Sequence, residues 1–194
     1  MSMFAVIMLA VTGFFAYQIY QHVQTLEDKK MDDEPVRNKA EPVKLDAWVA
    51  FLEEADESFG EGDFERARDK LNRALAIAPQ STEILNKLAF VEGKLGNLDA
   101  AIKHYEESLQ IDENDDLTHN ALASMYKAQG EFDTAQEHYK KALELDDTYA
   151  VTYYNYGNLL VVMNETQKAK EMYTRALALD GELEAARDAL KELA

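Results

Sequence analysis

The chain has 194 residues, a formal net charge of −17 at pH 7 and no cysteine. The lack of cysteine excludes disulfides, thiolate metal sites and a cysteine nucleophile. The negative charge repels phosphate backbones, which argues against nucleic acid and favours basic or neutral partners. The alternative is a solvated acidic surface with no specific meaning.

The first element along the chain is an apolar segment. Residues 1–26 contain no Asp, Glu, Lys or Arg, and residues 4–20 are nearly all apolar. A helix of about 20 residues is roughly 30 Å long, which matches the hydrocarbon core of a bilayer. We therefore predict a transmembrane helix over residues 1–24. Two alternatives remain: a cleaved signal peptide, although the segment lacks a basic n-region, and a buried helix, although the segment has no polar face.

The second element is a charged linker over residues 25–46, which holds two of the three prolines of the chain. Such a segment cannot bury enough apolar surface to fold alone, so we expect it to space the next domain from the membrane. Basic residues follow the apolar segment and none precedes it, which favours a cytoplasmic C-terminal part under the positive-inside rule. The nearest of these basic residues are Lys29, Lys30, Arg37 and Lys39.

The remaining residues, 47–194, repeat themselves every 34 positions. A fixed period of this length is typical of stacked helical repeats. Three rows carry it: Ala67, Ala101, Ala135 and Ala169; Leu75, Leu109, Leu143 and Leu177; and Leu71, Tyr105, Tyr139 and Tyr173. We predict four units of two amphipathic helices each, and then a capping helix. The units are residues 48–81, 82–115, 116–149 and 150–183, and the capping helix is residues 184–194.

Turn residues and small residues keep the same spacing. A residue that tolerates left-handed backbone lies between the two helices of each unit, at Gly62, Gly96, Gly130 and Asn164. In the first two units the next residue, Asp63 or Asn97, can cap the second helix. Small residues recur on the first helix of each unit, where helices that cross closely need them. They are Ala55, Ala89, Ala123 and Gly157.

This pattern closely resembles the tetratricopeptide repeat (TPR) family. The third unit carries the resemblance most completely, with Leu122, Ala123, Tyr126, Gly130, Phe132, Ala135, Tyr139, Ala142 and Leu143. The family implies an all-α fold, a right-handed α-solenoid of four helix-turn-helix units plus a capping helix. This chain departs from the pattern in its end units: only the first unit keeps the closing proline, Pro79, and the fourth has Asn164 and Thr166 at the turn.

The resemblance also implies a binding surface, since the first helices of the units line a concave groove in this family. The corresponding positions are Leu52, Phe59, Asn86, Phe90, Lys94, Asn120, Lys127, Tyr154 and Asn158. Asparagine amides can hold the backbone of an extended peptide, aromatic rings can anchor side chains, and lysines can meet a carboxylate. The alternative is a polar inner face without a ligand. The family's clamp for acidic chaperone tails is not reproduced, because Leu52 and Asp56 replace its Lys and Asn.

No catalytic, cofactor-binding or metal-binding motif occurs in the sequence. His104 and His138 lie one period apart, and we expect them to mark an exposed or half-buried face. The chain most resembles small anchored TPR proteins that serve as adaptors or assembly factors in bacterial inner membranes. We therefore predict a non-enzymatic, membrane-anchored adaptor or scaffold for a protein or peptide partner, without a cofactor. The alternatives are a periplasmic-side assembly factor or chaperone for exported proteins, and a structural subunit of a membrane complex.

Overall fold

The computed structural model describes residues 47–193, and this range folds into α-helices without strands. The helices are α1 (Ala47–Gly60), α2 (Phe64–Ile77), α3 (Thr82–Lys94), α4 (Leu98–Ile111), α5 (Asp116–Gln129), α6 (Phe132–Leu145), α7 (Ala150–Val162), α8 (Thr166–Leu179) and α9 (Glu184–Glu192). The predicted transmembrane helix over residues 1–24, the linker over residues 25–46 and Ala194 lie outside the described residues. In the described range, no helix is both long enough and apolar enough to cross a membrane.

The helices pack as antiparallel pairs that stack along the chain. The two helices of a pair contact each other most extensively, α1 with α2 and so on to α7 with α8, and each second helix packs on the next first helix. The last helix, α9, packs on α8. The prediction of an all-helical solenoid is therefore confirmed.

The core is a series of small clusters rather than one centre. The first cluster joins α1, α2 and α3 through side chains such as Leu71 and Leu88, and later clusters repeat this arrangement up to Ala186 on α9. The alanines that carry the period (Ala67, Ala101, Ala135 and Ala169) are all fully buried. Each repeat thus buries its apolar face mainly against its neighbours, as expected for a solenoid.

The turn between the two helices of each pair has the backbone that the sequence predicts. Gly62, Gly96 and Gly130 have φ angles of 79°, 82° and 91°, and Asn164 has a φ of 61°. These angles lie in the left-handed region, which Gly and Asn adopt most readily. The chain can therefore reverse its direction within two or three residues in every unit.

Only one of the two predicted helix caps forms. The Asp63 side chain accepts a hydrogen bond from the backbone N–H of Arg66, at 3.0 Å, and so caps α2. The prediction for Asn97 is wrong, because its side chain makes no capping bond to α4. Its amide Nδ2 donates instead to Glu92 Oε2 at 2.7 Å. Glu92 is only 8% exposed, and a buried carboxylate needs a donor, so this bond takes the place of the cap.

Candidate functional site

The first helices of the units lie on the concave side of the solenoid. The pairs α3 with α5 and α5 with α7 contact each other directly. Successive second helices do not approach each other as extensively in the described range. Because the spacing is shorter on the side of α1, α3, α5 and α7, the stack curves toward that side. We call the surface formed by these four helices the groove.

The groove contains an apolar cleft of about 170 Å³ between α1 and α3, which we call the first cleft. Its walls are the rings of Phe59 and Phe90, whose centroids are 5.5 Å apart. Phe90 is 44% exposed, a high value for an aromatic side chain in a folded domain. Two predicted site residues therefore lie together in one cavity that is accessible from solvent. Its remaining lining residues are Ala55, Asp56, Leu71, Lys87 and Val91.

The rim of the first cleft is polar. Lys87 Nζ donates to both carboxylate oxygens of Asp56, at 2.6 Å each, and this ion pair joins α1 to α3. Lys94 Nζ lies 5.0 Å from the centroid of the Phe90 ring, within the range of a cation–π contact. An apolar side chain that enters the cleft would thus be surrounded by charged groups at the surface.

The asparagines of the groove link successive helices. Asn86 Nδ2 donates to Thr118 Oγ1 at 2.7 Å and to Asp115 Oδ2 at 3.3 Å, which ties α3 to α5. Asn120 Oδ1 accepts a bond from Asn155 Nδ2 at 3.2 Å, which ties α5 to α7. These bonds occupy part of the hydrogen-bonding capacity that the sequence analysis assigns to a peptide, so both amides also hold the groove together.

Lys127, also on α5, is half-buried. Burial lowers the pKa of its ammonium group, because the charged form loses hydration. The predicted site residue Leu52 is only 8% exposed and belongs to the core cluster of α1, α2 and α3. Leu52 therefore supports the groove from below, whereas Lys127 lies closer to its surface.

A second cleft of about 290 Å³ lies between α7 and α9 and contains the predicted residues Tyr154 and Asn158. The Tyr173 hydroxyl donates to Asn158 Oδ1 at 2.7 Å, and the rings of Tyr154 and Tyr173 are 6.0 Å apart. Asp188 and Glu192 on α9 line the other side. The two clefts thus lie toward opposite ends of the groove, and the second is more acidic than the first.

Sequence reasoning missed Lys87 and Asn155, which lie next to the groove positions taken from the family. A signal for both is present in the sequence. Lys87 follows Asp56 by 31 residues, and Asn155 follows Asn120 by 35 residues. Separations close to the 34-residue period place two side chains at similar heights on neighbouring first helices. Charged or amide pairs at this separation therefore predict bonds between units.

The histidines form a contact that the sequence analysis did not predict. His119 Nδ1 and His138 Nδ1 are 2.9 Å apart, and the His119 Nε2 atom lies 3.2 Å from the backbone oxygen of Glu113. His138 also stacks on Tyr126, with the ring centroids 5.6 Å apart. His104 is half-buried like His138, as expected, and pairs with Glu107. Among residues 47–193, no group of three or more His, Asp or Glu side chains could hold a metal ion.

Comparisons with known proteins agree with this architecture. A family model described as tetratricopeptide repeat matches residues 80–148 and 115–182, which together span just over half of the chain. A search of curated proteins finds no match.

Three solved structures illustrate the shared fold. MamA is 22% identical over 76% of this chain and 81% of that chain, with a TM-score of 0.67. YrrB is 21% identical over 77% of both chains, with a TM-score of 0.66. PilF of Pseudomonas aeruginosa is 22% identical over 76% of this chain and 68% of that chain, with a TM-score of 0.70. From the repeats, the stacked helix pairs and the family match, we conclude that the chain belongs to the tetratricopeptide repeat family.

Proposed function

We propose that this chain is an adaptor that binds an extended segment of a partner protein in the groove. The first cleft is the observation that supports the proposal most directly. An exposed aromatic ring beside an apolar cavity, rimmed by charged side chains, has the features of an anchor site in protein interfaces. YrrB, which has the same fold, is described as a TPR protein with an unusual peptide-binding site.

The architecture also suits a binding role. A solenoid presents a long concave surface that is held rigid by contacts between neighbouring units. The bonds from Asn86 to Thr118 and from Asn155 to Asn120 connect three successive first helices. A rigid surface loses little conformational entropy when a partner binds, which favours affinity.

The proposal is tested by photocrosslinking in membranes of the native cell. A photoreactive residue replaces Asn120 in the groove or, as a control, the exposed Glu137 on α6. We expect a discrete protein adduct from position 120 and none of the same mass from position 137. An adduct formed equally from both positions, or from position 137 alone, would place partner binding outside the groove.

We further propose that residues 1–24 anchor the chain in a bacterial inner membrane, with the repeats in the cytoplasm. The charge-free apolar run over residues 4–20 and the basic residues after it support this arrangement. Alkaline carbonate extraction tests the anchor. The full chain should stay with the membrane pellet, and a chain without residues 1–24 should be released. Release of both proteins would contradict anchoring.

Protease protection tests the orientation. In intact spheroplasts, the repeats should resist added protease, and permeabilisation should expose them. A protein in which Lys29 and Lys30 are both changed to Gln should lose part of this preference, because those two residues supply half of the nearby positive charge. Digestion of the wild-type repeats in intact spheroplasts would place them on the periplasmic side.

A further inference from the structure

The middle of the groove, formed by α5 and α7, has no net charge on its helices, unlike the whole chain. The chain carries a net charge of −17. Nevertheless, α7 has no Asp, Glu, Lys or Arg, and α5 has one residue of each sign. Most acidic side chains of residues 47–193 lie on α1, α9, the second helices and the turns. The preference for basic partners that the net charge suggests therefore does not extend to the middle of the groove.

Two lysines of the groove lack the ion pairs that most cations of the domain have. Lys70 pairs with Glu54, and Lys168 pairs with Glu165. Lys94 on α3 and Lys127 on α5 form no ion pair within residues 47–193. Both belong to first helices, which line the groove. The other cations that form no ion pair within residues 47–193 lie outside the groove, on second helices or on α9: Lys140, Lys170, Arg175 and Arg187. The two unpaired cations of the groove can therefore accept an anion that comes from outside.

The half-buried position of Lys127 strengthens this argument. Burial without a counter-ion disfavours the charged ammonium group, which is the cause of its lowered pKa. A carboxylate brought by a partner would restore a favourable electrostatic environment for the charged form.

Lys94 is directly connected to the first cleft. Its Nζ lies over the ring of Phe90, and that ring is also a wall of the cleft. An apolar side chain in the cleft and an anion at Lys94 would therefore be neighbours. Because an extended chain advances about 3.3 Å per residue, one to three residues can separate these two groups of a bound segment.

The second cleft is acidic, whereas the lining of the first cleft has one residue of each sign, Asp56 and Lys87. Asp188 and Glu192 line the second cleft, and of these Asp188 pairs with Lys191 at 2.9 Å. At the other end of the groove, α1 carries four acidic residues and no basic one. A carboxylate of a partner is thus attracted by Lys94 and Lys127 and repelled near α1 and α9, which gives a bound segment a preferred position along the groove.

We infer that the groove selects a segment with one large apolar side chain and a carboxylate one to three residues away from it. The apolar side chain occupies the first cleft, and the carboxylate meets Lys94, with Lys127 on α5 as the second positive group of the groove. This inference rests on the proposed function, and it specifies the chemistry of the partner. It replaces the composition-based expectation of a basic or neutral ligand.

Selection from a library of random decapeptides tests the inference. The full chain is immobilised in lipid nanodiscs, and empty nanodiscs are the control. Enriched peptides should share an apolar residue with Asp or Glu one to three positions away. Enrichment of basic peptides, or of apolar peptides without an acid, would overturn the inference and leave groove binding intact. No enrichment over empty nanodiscs would instead contradict the proposed function.

Affinity measurements on one enriched peptide, carrying a fluorophore, then assign the contacts. Changing its acid to the amide should weaken binding by about fivefold, the upper end for an exposed ion pair. The Lys94→Gln and Lys127→Gln variants should each weaken binding, and the double variant should remove the difference between acid and amide. Lys140→Gln, on the exposed α6 surface, is the control and should bind normally. Equal discrimination by the double variant and the wild type would place the anion elsewhere.

Discussion

Gly157 on α7 occupies a position that is alanine in the other three units (Ala55, Ala89 and Ala123). A Cβ atom added at Gly157 would lie 2.5 Å from Cε1 and 2.7 Å from Cδ1 of Tyr173. The ring cannot easily move away, since Tyr173 is only 2% exposed and its hydroxyl bonds Asn158. We therefore expect Gly157→Ala to destabilise the fold.

The magnitude follows from two opposing effects. Replacing glycine with alanine inside a helix stabilises it by about 1 kcal/mol. Forcing a packed side chain to move costs about 1–3 kcal/mol. The free energy of unfolding should therefore fall by about 1 kcal/mol in the Gly157→Ala protein.

Gly93→Ala on α3 is the matched control. Its added Cβ would lie 3.0 Å from the Sδ atom of Met125, the flexible end of a side chain that can move at little cost. Because the gain in helix propensity is the same, the two variants should differ by about 2 kcal/mol, with Gly93→Ala the more stable.

The assay is urea unfolding of the full chain in detergent, followed by far-ultraviolet circular dichroism. In a Tyr173→Leu background the clash is removed, so Gly157→Ala should then stabilise the protein by about 1 kcal/mol. Equal stability changes in Gly157→Ala and Gly93→Ala, or an unchanged effect in the Tyr173→Leu background, would rule out a clash with the Tyr173 ring.

Three further predictions concern the caps, the histidines and the last helix. Asp63→Ala should lower the free energy of unfolding by about 1 kcal/mol in urea titrations, because the capping bond of α2 is lost. Asn97→Ala should not fray the start of α4, since Asn97 makes no capping bond there. Equal fraying of α2 and α4 in the two variants, measured by hydrogen exchange, would contradict this. Burial, and then the nearby His119, lower the pKa of His138. The unfolded state therefore binds more protons than the folded state when the pH falls below about 6.5, the ordinary pKa of histidine. The free energy of unfolding should decrease below that pH, by at most about 1.4 kcal/mol per pH unit, and should not depend on His138 above it. His138→Gln should flatten this slope in melts between pH 5 and 7, and an unchanged slope would exclude His138 as its source. Deletion of residues 184–194 should lower the melting temperature and the solubility, because Ala186 and its neighbours on α9 cover the apolar face of the last helix pair. An unchanged melting curve would contradict this capping role.

The fold could be predicted from the sequence because its determinants recur at one spacing. The rows of buried alanines and the left-handed turn residues each depend on local geometry, which repeats with the period. The turn residues show this most clearly, because Gly62, Gly96, Gly130 and Asn164 all adopt the left-handed backbone expected from their spacing.

The site was harder to predict, because side-chain partners depend on neighbours that the period does not specify. Asn97 aligns with Asp63, yet it bonds a buried glutamate instead of capping a helix. Asn86 aligns with Asn120, yet they tie different helices through different partners. The contact of His119 with His138 joins positions that are not one period apart. Each of these contacts depends on which other side chain is close and how deeply it is buried.

If a partner binds in the groove and not elsewhere on the solenoid, loss of a groove side chain should weaken binding more than loss of an equally exposed side chain on a second helix. The most direct test compares Phe90→Ala with Ile111→Ala, since these side chains are similarly exposed, at 44% and 47%, but lie on a first and a second helix. The measurement is the affinity of the full chain for the protein crosslinked from position 120. Phe90→Ala should weaken binding about tenfold or more, and Ile111→Ala should leave it unchanged. Equal losses, or a loss with Ile111→Ala alone, would contradict binding in the groove.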